Sequence, residues 1–161
     1  MSRYTLVTSW TLETGVDRVW RALRATREWP SWWKYVERVE EIEPGDSDGV
    51  GALARYTWSS RLPYRLTFDM RTTVLQPDRI EGVASGDLKG HGRWDLRDEG
   101  GGRAKADYTW SVDTDKAWMN LLAPVLAPVF AWNHGEVMRE GGRGLARHLG
   151  TKLVSVNGRP C

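Results

Sequence analysis

The residues of this chain from which chemistry could be built are three histidines, a single cysteine, several tyrosines and two glycine-rich runs. His91, His134 and His148 stand far apart and Cys161 is the last residue, so the closely spaced ligand pairs that make a metal site are missing. The expectation is therefore no metal and no cofactor. The runs DEGGGR at 98–103 and GDSDGVG at 45–51 are not followed by a helical pattern, which makes them hairpin turns and not phosphate-binding loops. No Gly-x-Ser-x-Gly elbow occurs. His134 is different. It sits beside Asn133 inside an apolar helical stripe, where an imidazole either finds a hydrogen-bond partner as a core residue or meets a ligand carbonyl and exchanges protons. His91 belongs to a charged outer row and His148 lies near a helix end.

The element that must position His134 is the last long helical run, about 115–150. Leu126, Phe130, His134, Val137, Gly141 and Leu145 recur at helical spacing, with Met138 and Leu149 on the flank, while Glu136, Arg139, Glu140, Arg143 and Arg147 lie opposite. Pro124 and Pro128 each lack an amide donor, so the pattern predicts a short helix near 116–122, a bend, and a long helix starting between the two prolines. Trp118 and Leu122, on the short helix, are expected near a cavity mouth. The Gly141-Gly142 pair weakens the helix and suits a close approach to the sheet or to the first helix.

Almost everything earlier reads as strand. Alternation predicts strands at 3–13, 36–42, 51–59, 64–75, 79–88, 90–97 and 104–112, separated by turn-forming residues. Between the first two, Thr14 stands three residues before Asp17 as a weak relative of a capping box, and a short helix follows at 16–25. Pro30 then forces a second short helix or turn that carries Trp29, Trp32 and Trp33. Short links imply an antiparallel meander. Asp87, Lys89, His91, Arg93 and Asp95 share one parity and belong in water, so Leu88, Gly90, Gly92, Trp94 and Leu96 point inward. The same logic turns inward Ala52, Ala54, Tyr56 and Trp58; Tyr64, Leu66, Phe68, Met70 and Val74; and Ala104, Ala106, Tyr108, Trp110 and Val112, while Tyr4, Leu6, Thr8, Trp10 and Leu12 share one face of the first strand.

Composition bounds the function. A chain of 161 residues with a formal charge of +2 and mixed signs carries no electrostatic footprint for nucleic acid. No apolar run reaches the roughly 20 residues of a membrane span, and MSRYTLVTSW lacks the layout of a signal peptide. The expectation is a soluble cytoplasmic protein of one domain, residues 1–150, with a tail at 151–161. Ten tryptophans are far above ordinary usage. They make either a tryptophan-rich core or the aromatic wall of a small-molecule cavity. An inward face mixing Gly and Ala with rings favours a cavity lined by Tyr56, Trp58, Tyr64, Phe68, Trp94, Tyr108, Trp110, Phe130, Asn133 and His134, with Trp118 and Leu122 near the mouth.

Specific residues then carry a resemblance. Val19-Trp20-x-x-Leu23 followed by Trp29-Pro30-x-Trp32, Gly90-x-Gly92-x-Trp94-x-Leu96, and the closing Gly144-Leu145-Ala146-Arg147 are similar to the START-like (SRPBCC) superfamily, in the style of its bacterial polyketide cyclase/dehydrase-like branch. The resemblance spans about residues 3–150. It implies an α+β helix-grip fold: a curved antiparallel sheet of about seven strands around the C-terminal helix, with two short helices after the first strand. It also implies a cavity between sheet and helix for a small apolar molecule such as a lipid, polyketide or aromatic compound, held as by a carrier or sensor. The alternatives are a cyclase/dehydratase-type enzyme, with His134 as the candidate catalytic group, and an interaction module with a filled cavity. In the family's aromatase/cyclases an arginine in the cavity often features. Here Arg65 and Arg71 fall on the outward parity and Arg61 lies in a loop at the rim.

Overall fold

The structure is a computed structural model that describes residues 2–63, 65–114 and 117–160. It opens with β1 (Ser2–Leu12), α1 (Val16–Arg24) and a 3₁₀ segment (Thr26–Ser31). The meander follows: β2 (Val36–Glu43), β3 (Leu53–Trp58), β4 (Leu66–Gln76), β5 (Arg79–Gly86), β6 (Lys89–Gly100) and β7 (Arg103–Thr114). The chain ends with α2 (Ala117–Leu149) and β8 (Leu153–Pro160). All eight strands form one antiparallel sheet in the order β2-β3-β4-β5-β6-β7-β1-β8.

The expected parity holds where it was most explicit. Gly92, Trp94 and Leu96 are buried on β6 while His91, Arg93 and Asp95 face out, and on β1 Thr8, Trp10 and Leu12 are buried. One core cluster joins Trp10, Leu12, Trp33 and Trp94 to Val19 and Leu23 of α1 and to Met138 and Leu145 of α2. A second, smaller cluster centres on Phe68, Ala84 and Trp110.

Four expectations need correction. Thr14 does not cap α1: Gly15 holds the N-cap position without a side-chain bond, and the Thr14 hydroxyl accepts a hydrogen bond from Arg18 Nη1 at 3.1 Å. Among the described residues the sheet has eight strands where about seven were expected, because residues 153–160 of the expected tail add a strand. Gly150 ends α2 in the left-handed region (φ 64°), with the amides of Gly150 and Thr151 bonded to the carbonyls of Arg147 and Ala146. That pattern of bonds is a Schellman stop. It turns the chain so that β8 pairs with β1 from Leu6↔Pro160 to Leu12↔Leu153, covering an edge that β7 leaves free.

The fourth correction concerns the prolines. No bend separates a short helix from a long one; α2 runs unbroken through Pro124 and Pro128. Both prolines are exposed. Each removes one amide from the helical ladder, and on a face turned to solvent water satisfies the carbonyl left over. Among the described residues, no helix is long and apolar enough to cross a membrane.

Candidate functional site

Between the inner face of the sheet and α2 lies a cavity of about 660 Å³. Its size follows from what anchors α2. In the C-terminal half of the helix, a Cβ on Gly141 would sit 2.3 Å from the Trp33 ring, one on Gly142 3.1 Å from the Trp10 ring, and one on Gly144 1.7 Å from the Trp32 carbonyl oxygen. The close approach is sealed by indole hydrogen bonds. Trp33 Nε1 donates to the Val137 carbonyl at 2.9 Å and Trp10 Nε1 to the Met138 carbonyl at 3.0 Å. These carbonyls already receive the amides of residues 141 and 142 in the helical ladder, and the missing side chains at those positions leave the second lone pair accessible. The helix is thus pinned at one end. Toward its N-terminus it diverges from the sheet, and the space between becomes the cavity.

The structure places Tyr56, Trp58, Phe68, Trp94, Tyr108, Trp110, Phe130, Asn133 and His134 together in the cavity wall. Tyr64 lies outside the described residues, as do the side chains of Trp118 and Leu122. The rings form a contiguous surface: Tyr56 stacks on Phe68 (6.2 Å), Phe68 lies against Trp110 (6.1 Å), and Tyr108 stacks on Trp110 (6.3 Å) and on the His134 imidazole (6.3 Å). Gly92 makes room for this stack, since a Cβ there would meet the Tyr108 hydroxyl at 2.7 Å. The tryptophans therefore serve both purposes that composition left open. Trp10 and Trp32 belong to the packed core, Trp58 to the cavity, and Trp29, Trp33, Trp94 and Trp110 to both.

Several lining residues went unassigned at the level of sequence. Tyr4 and Leu6 of β1 share the parity of Trp10, so alternation already carried their signal. Thr26 opens the 3₁₀ segment, and Ser59, Ser60 and Leu62 come from a loop, where no periodicity points inward. The 59–62 loop is tied to α2 at the rim. Arg61 reaches Glu136 at 3.5 Å and its guanidinium lies over the Trp132 ring at 5.7 Å. Glu136 also pairs with Arg139, and the two arginines hold its carboxyl below the usual range.

The electrostatics are those of a dry site. Burial pushes the Tyr56 hydroxyl up to about 12, offset in part by its hydrogen bond with Thr26, and raises Tyr108 as well. Burial lowers His134 to about 4, so its imidazole is neutral near pH 7. Arg65 and Arg71 are indeed outside, paired with Glu37 (2.7 Å) and Glu43 (2.9 Å). Among the described residues no lysine or arginine lines the cavity, and no cluster of three or more His, Cys, Asp or Glu side chains is placed to hold a metal ion. Such a wall can bind an apolar body and offer it a few neutral hydrogen-bonding groups.

Comparison with known proteins agrees with this geometry. The sequence profile described as polyketide cyclase / dehydrase and lipid transport matches residues 3–150. No curated protein matches the chain. Among solved structures, a START superfamily protein from Mycobacterium smegmatis superposes with a TM-score of 0.75 at 12% identity, over 91% of this chain and 97% of that one. The Zhui aromatase/cyclase from a Streptomyces species gives 0.70 at 15% identity, over 92% and 96%. A major latex-like protein from Panax ginseng gives 0.72 at 9% identity, over 91% and 97%. At these identities the likeness establishes the helix-grip fold.

Proposed function

The chain belongs to the polyketide cyclase / dehydrase and lipid transport family, and from that premise we propose that it binds a small hydrophobic molecule between its sheet and α2, as a carrier or sensor. The observation that carries this reading is the cavity of about 660 Å³ walled by aromatic rings, within the size range of small-molecule sites. A packed core of this size would hold few voids larger than a water molecule. The polyketide cyclase or dehydratase alternative asks for a group that takes and returns a proton, and His134 is the candidate. Its lowered basicity, to about 4, suits a neutral hydrogen-bonding group better than a proton shuttle at neutral pH.

Native mass spectrometry of freshly purified protein, followed by denaturation and solvent extraction, tests the reading. The expected result is a discrete apolar adduct of small-molecule mass. A clean apo mass, together with no shift in melting temperature against a panel of lipids and aromatic polyketides, would overturn it. His134→Ala then separates the two roles: a carrier changes in affinity only, whereas an enzyme keeps binding and loses turnover.

A further inference from the structure

Among the described residues, three polar atoms in the cavity-lining side chains are shielded from solvent and have no hydrogen-bond partner: Trp58 Nε1, Asn133 Oδ1 and His134 Nε2. Buried polar groups are nearly always paired, and leaving one unpaired costs roughly 1–3 kcal/mol. Three in the lining of one cavity call for a common explanation.

They also lie in one neighbourhood. Trp58 ends β3, and its ring packs edge-on against Trp33 at 5.1 Å, whose indole is bonded to Val137 of α2. The loop that leaves Trp58 carries Arg61, which touches Trp132 and Glu136 on either side of Asn133 and His134. The end of β3 and the 133–137 turn of α2 therefore form one corner of the cavity. Several other polar groups of the wall are occupied: Tyr56 bonds with Thr26, the Ser60 hydroxyl accepts from the Leu62 amide, Asp87 from the Thr67 amide, and Glu81 meets His91 at 3.2 Å.

We propose that this corner is the polar subsite of the cavity, and that it selects uncharged ligands bearing a carbonyl or hydroxyl oxygen over both plain hydrocarbons and anions. Trp58 Nε1–H can only donate, so it requires an acceptor oxygen. The unpaired Asn133 Oδ1 accepts, so it requires a ligand donor such as a hydroxyl, and the neutral His134 Nε2 donates or accepts according to its tautomer. The three atoms are covered by neighbouring side chains, so a ligand engages them through small side-chain rotations. An oxygen-bearing ligand recovers the missing bonds on doing so; a hydrocarbon does not. A carboxylate or phosphate would leave water with no lysine or arginine to receive it among the described lining residues. This inference rests on the reading of the cavity as a ligand site.

The test uses the full chain and four probes of one shape, fluorene, fluorenone, fluorenol and fluorenecarboxylate, read by displacement of the uncharged dye Nile red. Fluorenone and fluorenol are expected to bind roughly tenfold tighter than fluorene, the scale of one or two buried hydrogen bonds, and fluorenecarboxylate more weakly than fluorene. Trp58→Phe should erase the preference for fluorenone over fluorene and Asn133→Leu the preference for fluorenol over fluorene, each read as the ratio of the two affinities within one variant. Equal binding of fluorene and fluorenone by the unmodified chain, or tightest binding of the carboxylate, would overturn the subsite and leave the cavity reading intact. If neither Nile red nor any probe binds, the cavity reading fails and takes the subsite with it. The ranking on the unmodified chain decides the matter even if a variant does not fold.

Discussion

From Val137 onward, α2 presses on the sheet and the tryptophan corner so closely that Gly141 and Gly144 have no room for a methyl group and Gly142 has little. Before Asn133, the same helix stands off the sheet and turns an apolar outer face to solvent. Leu121 is 81% exposed, Val125 71% and Trp132 48%, whereas Leu145 is fully buried. The outer face becomes charged only at Glu136, Arg139 and Arg143. One half of the helix is a structural anchor and the other is a cover. A cavity of this kind needs both, because the anchor fixes the angle at which the cover diverges. Residues of the anchor should therefore govern stability, and residues of the cover should govern what is bound.

The largest expected effect lies in the anchor. Gly144→Ala places a methyl 1.7 Å from the Trp32 carbonyl oxygen, a backbone atom that cannot rotate away. It should cost about 3 kcal/mol or more, measured as a fall in the urea midpoint. The matched change at the boundary of the cover, Gly135→Ala, meets nothing nearer than Arg139 Nη2 at 4.0 Å and should stabilise by up to about 1 kcal/mol through helix propensity. Equal effects at the two glycines would break the comparison.

Next is pH. His134 is held at about 4, below its ordinary 6.5, because burial disfavours the imidazolium. The unfolded chain therefore binds a proton that the folded chain does not as pH falls through 6.5. Stability present above that pH should be lost progressively down to about 4, by about 3 kcal/mol in total. His134→Leu should remove this component, seen by comparing urea midpoints of the two proteins at neutral and acidic pH. A comparable slope in both would place the titrating group elsewhere.

Third, Trp10→Phe removes the indole bond to the Met138 carbonyl and should cost about 2 kcal/mol, from the lost hydrogen bond and the volume left behind. The smallest effect is reserved for the cover. Leu121→Gln and Val125→Gln should each shift stability by less than about 0.5 kcal/mol in thermal melting, since their side chains are mostly in water.

Strand parity made most of the cavity wall legible in advance. Period-two alternation placed Trp94, Tyr108 and Trp110 on one surface, and the 3.6-residue repeat placed Phe130 and His134 opposite them. It could not reach Ser59, Ser60 or Leu62, which sit in an irregular loop held by the bond from the Ser59 amide to the Tyr35 carbonyl and by the Arg61–Glu136 contact. The prolines misled for a related reason. Proline's cost in a helix depends on whether the carbonyl it orphans faces protein or water, and that is known only once the helix is docked. Residues 153–160 read as a tail because a short edge strand has weak propensity of its own; the free edge of β1 made it a strand.

The sequence by itself determined the alternation of faces, the amphipathic stripe of α2 and the family, since these rest on periodicity and local motifs. Tertiary structure alone decided that α2 is pinned at one end and lifted at the other. That outcome depends on Gly141, Gly142 and Gly144 meeting Trp33, Trp10 and Trp32 across more than a hundred residues of chain. No local preference encodes it. The cavity is a difference between two packing distances, and distances between elements exist only in the folded molecule.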